Sequence, residues 1–260
     1  MAAYLQAVWR CRYFWLSLVK MDLRTRYRRS VLGIGWSLLQ PITMTLLLTG
    51  LFSAKFQEEA ANYALYLLSG LSCWQYLTAV ASQGCQCFFR GEAYIRQYPA
   101  PMAIYPLRVA LGAMIHLLIA LGFVAAIAVV LKGPACLGHL LGMLPGIVLL
   151  LALGWAVAAL TGIATVYFND TQHLIEVGLQ LLFYATPIMY KADMLRGARV
   201  GLFVRYNPLL YILHLVRAPI VEDKVPTLTT FGVASALTLG AAFAASLVLA
   251  RLERRLIFHL

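Results

Sequence analysis

The chain has 260 residues, of which 62% are hydrophobic and only 12% charged, with a formal net charge of +11. So few charges cannot clothe the surface of a water-soluble domain of this length, and several long apolar runs read instead as helices crossing a bilayer. The positive charge does not argue for nucleic acid, because the basic residues flank the apolar runs instead of forming one stripe, as anionic headgroups and a positive cytoplasmic side require.

Residues 3–23 predict a helix lying on the membrane surface. At 100° per residue, Leu5, Val8, Trp9, Leu16, Val19 and Leu23 share one face, and Gln6, Arg10, Ser17, Lys20 and Arg24 gather on another. Arg10 and Arg12 interrupt the first apolar residues, so no cleaved signal peptide is expected. The arginines Arg24, Arg26, Arg28 and Arg29 then meet an apolar run that carries no charge until Lys55. Guanidinium groups set against a stretch long enough to cross hydrocarbon mark a cytoplasmic membrane boundary.

The first span is predicted at 31–52, with Gly33 and Gly35 open to a close neighbour and a kink at Pro41. A short polar segment with Lys55, Glu58 and Glu59 leads to a second span at 63–84. In 88–108, Pro99, Pro101 and Pro106 forbid one continuous helix, and the pattern predicts a short helix at 91–98 followed by an extended turn. A third span is expected at 107–131 and a fourth at 137–168. The fourth is longer than hydrocarbon requires, so it must tilt, break near Pro145 or project from the membrane. Gly138, Gly142 and Gly146 recur every four residues, a spacing that lets helix backbones touch. Asn169-Asp170-Thr171 reads as the N-cap of a fifth span at 171–190 containing Pro187. In 191–226 the apolar pieces 200–204 and 209–216 are too short to cross and suit re-entrant or interfacial helices. A sixth span at 227–249 ends in a charged tail. An N-terminus in the cytoplasm puts 13 of the 21 Lys and Arg inside: seven before the first span, three in 88–108 and three at the C-terminus. Six of the remaining eight lie in the long segment 191–226, which weighs less in setting orientation.

Little in the sequence carries reaction chemistry. There is no G-x-x-x-x-G-K-[ST] phosphate loop and no Ser/His/Asp constellation, and ten acidic residues leave little material for hydrolysis. Asp170, His173 and Glu176 are spaced to share a helix face, which suits either a metal or a capping cluster at the membrane boundary. His116 lies within the third span, where an imidazole is either functional or hydrogen-bonded into the bundle. Cys11, Cys73, Cys85, Cys87 and Cys136 read as small packing residues, and Cys85-x-Cys87 lacks the C-x-x-C spacing. Trp36, Tyr63, Tyr66, Trp74, Tyr76, Phe183, Tyr184 and Tyr190 lie in or beside the first, second and fifth spans. Such rings either stack on sugars or form the aromatic belts of a membrane protein.

Taken in order, RYRRSVLGIGWSLLQP, YLLSGLSCWQYL, YFNDTQHL, TPIMY, RYNPL and RLERR resemble the membrane subunit of bacterial ABC exporters for polysaccharides and polyol phosphates. This is the type-2 permease class that serves O-antigen, capsule and teichoic acid. The likeness covers essentially the whole chain, with Asn169 and Gln40 as polar exchanges at two motif positions. It implies an all-α integral membrane protein of the bacterial inner membrane with both termini cytoplasmic. Residues 1–30 would form the interfacial helix, and 31–260 a six-span domain with a coupling loop at 88–108 and an outer gate loop at 191–226. The resemblance further implies a homodimer joined to two copies of a separate ATPase subunit, which would hold ATP and Mg, while this chain would bind no cofactor or metal and catalyse nothing. Arg90, Glu92, Tyr94, Ile95, Arg96 and Tyr98 would then form the helix that docks on the ATPase. Arg24, Arg26, Arg28 and Arg29 would pair with the pyrophosphate of a polyprenyl-linked glycan or serve as a topology anchor. Trp36, Tyr66, Trp74, Phe183, Tyr184 and Tyr190 would line the substrate path. A permease for a smaller lipid or drug, or a membrane-embedded enzyme of lipid-linked sugar assembly, stands as the alternative.

Overall fold

Hydrocarbon offers backbone groups no hydrogen bonds, so an apolar chain of this kind must satisfy them within itself, and helices do so segment by segment. The computed structural model describes residues 2–52, 59–97, 100–190 and 207–260, and every regular element among them is helical. By length and composition, four stretches can cross a membrane: Gly33–Phe52, Ile104–Lys132, Pro134–Tyr167 and Leu228–Glu253.

The N-terminal helix is broken where one continuous helix was expected. α1 (Ala2–Arg10) and α2 (Arg12–Tyr27) meet at Cys11. The break lets α1 turn so that the Tyr4 hydroxyl donates to Glu253 Oε1 (3.1 Å) and accepts from the Ala103 amide (3.3 Å). Glu253 Oε1 also accepts from the Met102 amide at 2.9 Å, so both chain ends cap the start of α6. Burial, with the Glu253 carboxylate beside it, pushes the Tyr4 phenol above its usual range. α2 packs along α6 with Leu18 and Val19 buried. The expected apolar face is therefore split: Val19 turns inward, whereas Trp9 and Leu16 face outward beside Tyr13, with Arg12 over the Trp9 and Tyr13 rings.

α3 (Trp36–Phe52) follows a 3-10 turn and carries Pro41 inside it. Gly33 and Gly35 have no neighbouring element against them, and Gly33 instead supplies a positive φ (+52°) to the turn. α4 (Ala60–Cys85) is long enough to span but more polar, and it is the most enclosed helix, packed by α3, α6, α8 and α9. Two of its buried polar side chains bond backbone carbonyls: Ser72 Oγ donates to Leu68 O at 2.7 Å and Tyr76 Oη to Leu150 O at 3.0 Å. α5 (Glu92–Gln97) is the short helix expected before the proline-rich turn, and Tyr98 and Pro99 lie outside the described residues.

α6 (Ile104–Lys132) is followed by 3-10 turns around α7 (Leu137–Leu140), and α8 (Leu144–Tyr167) starts afresh with Pro145 in its first turn. The long fourth stretch thus breaks at Pro145, where a missing amide costs nothing. Gly138 has open space around it, and only Gly146 makes a close approach, to Leu215. The tight backbone crossing forms elsewhere, between α4 and α8. A Cβ on Gly162 would lie 2.8 Å from the Gly84 carbonyl, and one on Gly84 2.6 Å from Ala158 Cα.

α9 (Thr171–Ala185) stops short of the expected end at 190, because Thr186 precedes Pro187 and takes extended dihedrals (φ −103°, ψ 131°). Asp170 occupies the N-cap position but makes no capping bond through its side chain, contrary to the sequence reading. α10 (Pro208–Arg217), capped by Asn207, runs into a π-helical turn ending at Asp223. The apolar piece 200–204 lies outside the described residues. α11 (Leu228–Leu256) packs against α8 and α10. The main core joins α4, α6, α8 and α10, and a second cluster around Phe88, Tyr105 and Ile163 sits where α5 and the two chain ends meet.

Candidate functional site

Where α9 ends, just before Pro187, the backbone leaves helical geometry and its carbonyls lose their intrahelical donors. Side chains replace them. Arg217 donates from Nη1 to Pro187 O (2.7 Å) and from Nη2 to Ile188 O (2.9 Å). The Tyr66 hydroxyl lies 3.0 Å from Pro187 O and 2.9 Å from Tyr190 O, and Tyr63 Oη donates to Met189 O at 2.8 Å. Asn207 Nδ2 adds a bond to Thr186 Oγ1 at 2.9 Å. Arg217 is only 5% exposed, and its guanidinium carbon lies 3.9 Å from the centroid of the Tyr66 ring. It fills the space over Gly70, where any Cβ would collide with it. Arg217 lay hidden in the sequence among the basic residues of a long segment, and its only local signal is a cation inside the apolar run HLVRAP.

Below this knot, α3, α4 and α6 enclose a groove of about 470 Å³, with α9 contributing Phe183. Trp36 and Gln40 face it from α3, Trp74 and Gln75 from α4. The Trp74 and Phe183 rings stand 5.7 Å apart and tilted, and Tyr184 meets Phe183 edge-on at 5.4 Å. A smaller cavity of about 260 Å³ lies against Trp74, Glu176 and Tyr184. Of the six path aromatics, Trp36, Trp74, Phe183 and Tyr184 thus border open volume. Tyr66 and Tyr190 instead bond backbone carbonyls, Tyr190 through its hydroxyl to Tyr184 O at 2.9 Å.

A second chamber of about 410 Å³ adjoins the groove, sharing Arg26 and His116 with it. Arg90 and Arg108 line it together with Asp22. Arg108 is 8% exposed and forks onto Asp22, its Nε 2.5 Å from Oδ2 and its Nη2 on Oδ1. His116 Nδ1 is 3.2 Å from the Tyr27 hydroxyl, so this imidazole is hydrogen-bonded to the N-terminal segment. Arg24, Arg28 and Arg29 are exposed and do not line the chamber. The sequence reading treated Arg24–Arg29 as one cluster, and of these only Arg26, itself exposed, borders the groove and the chamber.

α5 presents two faces. Ile95 is buried in the cluster with Phe88, Met102 and Tyr105, and Tyr94 leans edge-on against Phe14 at 5.8 Å. Ala93, Arg96 and Gln97 point outward, with Arg96 Nε held 2.9 Å from Glu92, while Arg90 in the turn before α5 is exposed and borders the chamber. Ile95 therefore holds the short helix to the body, and the exposed face is the part open to a partner. Near the start of α9, His173 and Glu176 approach at 3.8 Å and both are well exposed. Among the described residues no three His, Cys, Asp or Glu side chains lie close enough to hold a metal. All five cysteines are free thiols, four of them buried.

The family model described as ABC-2 type transporter matches residues 13–221. Curated relatives include an O-antigen export system permease protein RfbA of Klebsiella pneumoniae, 25% identical over 197 residues that cover 74% of each chain. A protein of the same name from Myxococcus xanthus is 24% identical over 217 residues, 81% of each chain.

Proposed function

The chain belongs to the ABC-2 type transporter family, and from that premise we propose that it is the membrane subunit of an ATP-driven exporter carrying a lipid-linked, O-antigen-like polysaccharide across the bacterial inner membrane. The observation that carries this reading is the match to O-antigen export permeases along about three quarters of their length. With no phosphate loop of its own, the chain would draw on ATP and Mg held by a separate ATPase subunit, two copies of which would serve a homodimer.

In this reading six segments cross the bilayer: the four apolar stretches, α4 enclosed among them, and α9, whose 15 residues reach about 22 Å before the knot at Pro187 takes over. The basic N-terminus, the loop of α5 and the C-terminal tail face the cytoplasm. α1 and α2 lie at the interface with Trp9 and Tyr13 toward lipid, and α10 is re-entrant on the outer side. Trp36, Trp74, Phe183 and Tyr184 offer faces on which sugar rings or lipid stack.

The exposed face of α5 transmits the motor's movement. Replacing Arg96 and Gln97 together with Glu makes that face acidic without touching Ile95, so the protein should insert and purify normally while export falls at least about tenfold. Surface glycan and full-length lipid-linked glycan retained inside the cell are the two readouts. Undiminished export by an inserted double variant would remove α5 from the coupling role.

A further inference from the structure

Met102 and Ala103, where the chain enters α6 from α5, are held from three distant parts of the chain. Both are buried and lie just ahead of the helix, where amides have no intrahelical acceptor and here cannot turn to water. One hydrogen-bonded ring serves the two. The Ala103 amide donates to the Tyr4 hydroxyl at 3.3 Å, that hydroxyl donates to Glu253 Oε1 at 3.1 Å, and the same oxygen accepts from the Met102 amide at 2.9 Å. Burial, with the Glu253 carboxylate beside it, raises the Tyr4 phenol above its usual range, so it keeps the proton that closes the ring. Trp155 Nε1 adds a bond from α8 to Ala103 O at 3.2 Å.

α5 is anchored into the same place. Ile95 belongs to the buried cluster that includes Met102 and Tyr105, completed by Ile163 of α8 and by Leu249 and Leu256 of α11. Gly91, in the turn before α5, lies flat against Tyr105, and a Cβ there would stand 2.4 Å from the ring. Between α5 and α6, Pro99 and Pro101 bar a continuous helix. A push on α5 that reached α6 only through such a link would be spent in backbone rotation. We propose that Tyr4 and Glu253 are positioning residues for energy coupling, locking the start of α6 to α1 and α11 so that displacement of α5 moves these helices as one body. The proposal rests on the reading of α5 as the helix that docks on the ATPase. Neither residue lines the groove or the two smaller cavities, so their replacement leaves the cargo path as it is.

The test uses the complex of this chain with its ATPase subunit, purified from native membranes and reconstituted in vesicles with the lipid-linked glycan extracted from the same membranes. ATP hydrolysed and glycan translocated are measured together. Tyr4→Phe, which removes one hydroxyl and keeps the ring's packing, and Glu253→Ala should each hold hydrolysis within about twofold of the parent while glycan moved per ATP falls about fivefold or more. The double variant should fall no further than either single one, since each opens the same ring. Glu253→Gln, whose amide oxygen still accepts from Met102 and Tyr4, should recover at least about half of the parent ratio. A contact that merely stabilises the fold would lower hydrolysis and export in equal proportion, and an unchanged ratio would overturn the proposal. So would a Glu253→Gln ratio no better than that of Glu253→Ala. The paired Arg96→Glu and Gln97→Glu variant is run alongside. Loss of export by that pair, with a parental ratio in Tyr4→Phe, would sink the ring alone, whereas normal export by the pair would remove α5 from coupling and the ring with it.

Discussion

Arg217→Met is expected to destabilise the folded chain by about 3–5 kcal/mol, more than any other single side-chain replacement in the outer half of the bundle. Methionine retains most of the volume but donates nothing to Pro187 O or Ile188 O. Ile188 O would be left without its donor, at about 1–3 kcal/mol for a buried carbonyl, Pro187 O would keep only the Tyr66 hydroxyl, and the stack on Tyr66 is lost as well. A buried arginine is often a poor source of stability, since its own desolvation offsets its bonds. Here the carbonyls belong to a backbone that Pro187 has forced out of helical geometry, so they cannot be removed along with the cation. Arg217→Lys should recover little, because an ammonium cannot reproduce the planar fork that spans both oxygens while lying on the ring. Gly70→Ala should act on the same interaction by pushing the guanidinium aside, and its effect should be less than additive with Arg217→Met. Thermal unfolding in detergent, followed by loss of the monodisperse peak in size exclusion, measures all four proteins. An Arg217→Met variant as stable as the parent would show that the knot contributes nothing to stability.

The α4–α8 crossing should be the second most sensitive place. A side chain at Gly162 meets Cys87 Sγ at 2.6 Å and the Gly84 carbonyl at 2.8 Å, and the second of these is backbone with nowhere to move. Gly162→Val should therefore cost about 3 kcal/mol by forcing the two most enclosed helices apart, and Gly162→Ala somewhat less. Gly178→Ala on α9 is the matching control, because no atom lies within 4 Å of its added Cβ and alanine favours the helix by about 1 kcal/mol. A Gly162→Val protein that melts with the control would mean that the helices separate at little cost.

Both sites show what the sequence can and cannot reveal. Four of the six expected spans were legible because apolar length is a local property, and so were the short helix of α5 and the interruption at Pro145, both set by prolines. The packing of those spans was not. Gly138, Gly142 and Gly146 carry the spacing of a helix contact, yet the contact forms at Gly84 and Gly162, which are far apart in the chain and align only once α4 and α8 are paired. Arg108 and Arg217 looked like loop charges for the same reason. Burial of a cation depends on partners such as Asp22 and the carbonyls of 187–188, which come from other elements. The arginine cluster 24–29 was visible as charge, but which of these four exposed side chains borders a cavity depends on where α2 rests on α6. Tyr66 and Tyr190 looked equivalent to Trp74 because composition does not say whether a hydroxyl has been used.

The most direct test of the exporter account is purification of the chain from native membranes under mild detergent, followed by measurement of ATP hydrolysis with and without purified lipid-linked glycan. The account predicts a stable complex of two copies of this chain with two copies of an ATPase subunit, whose hydrolysis rises when the glycan is added. A chain that purifies alone and transforms a lipid-linked sugar without ATP would contradict it and identify an enzyme instead.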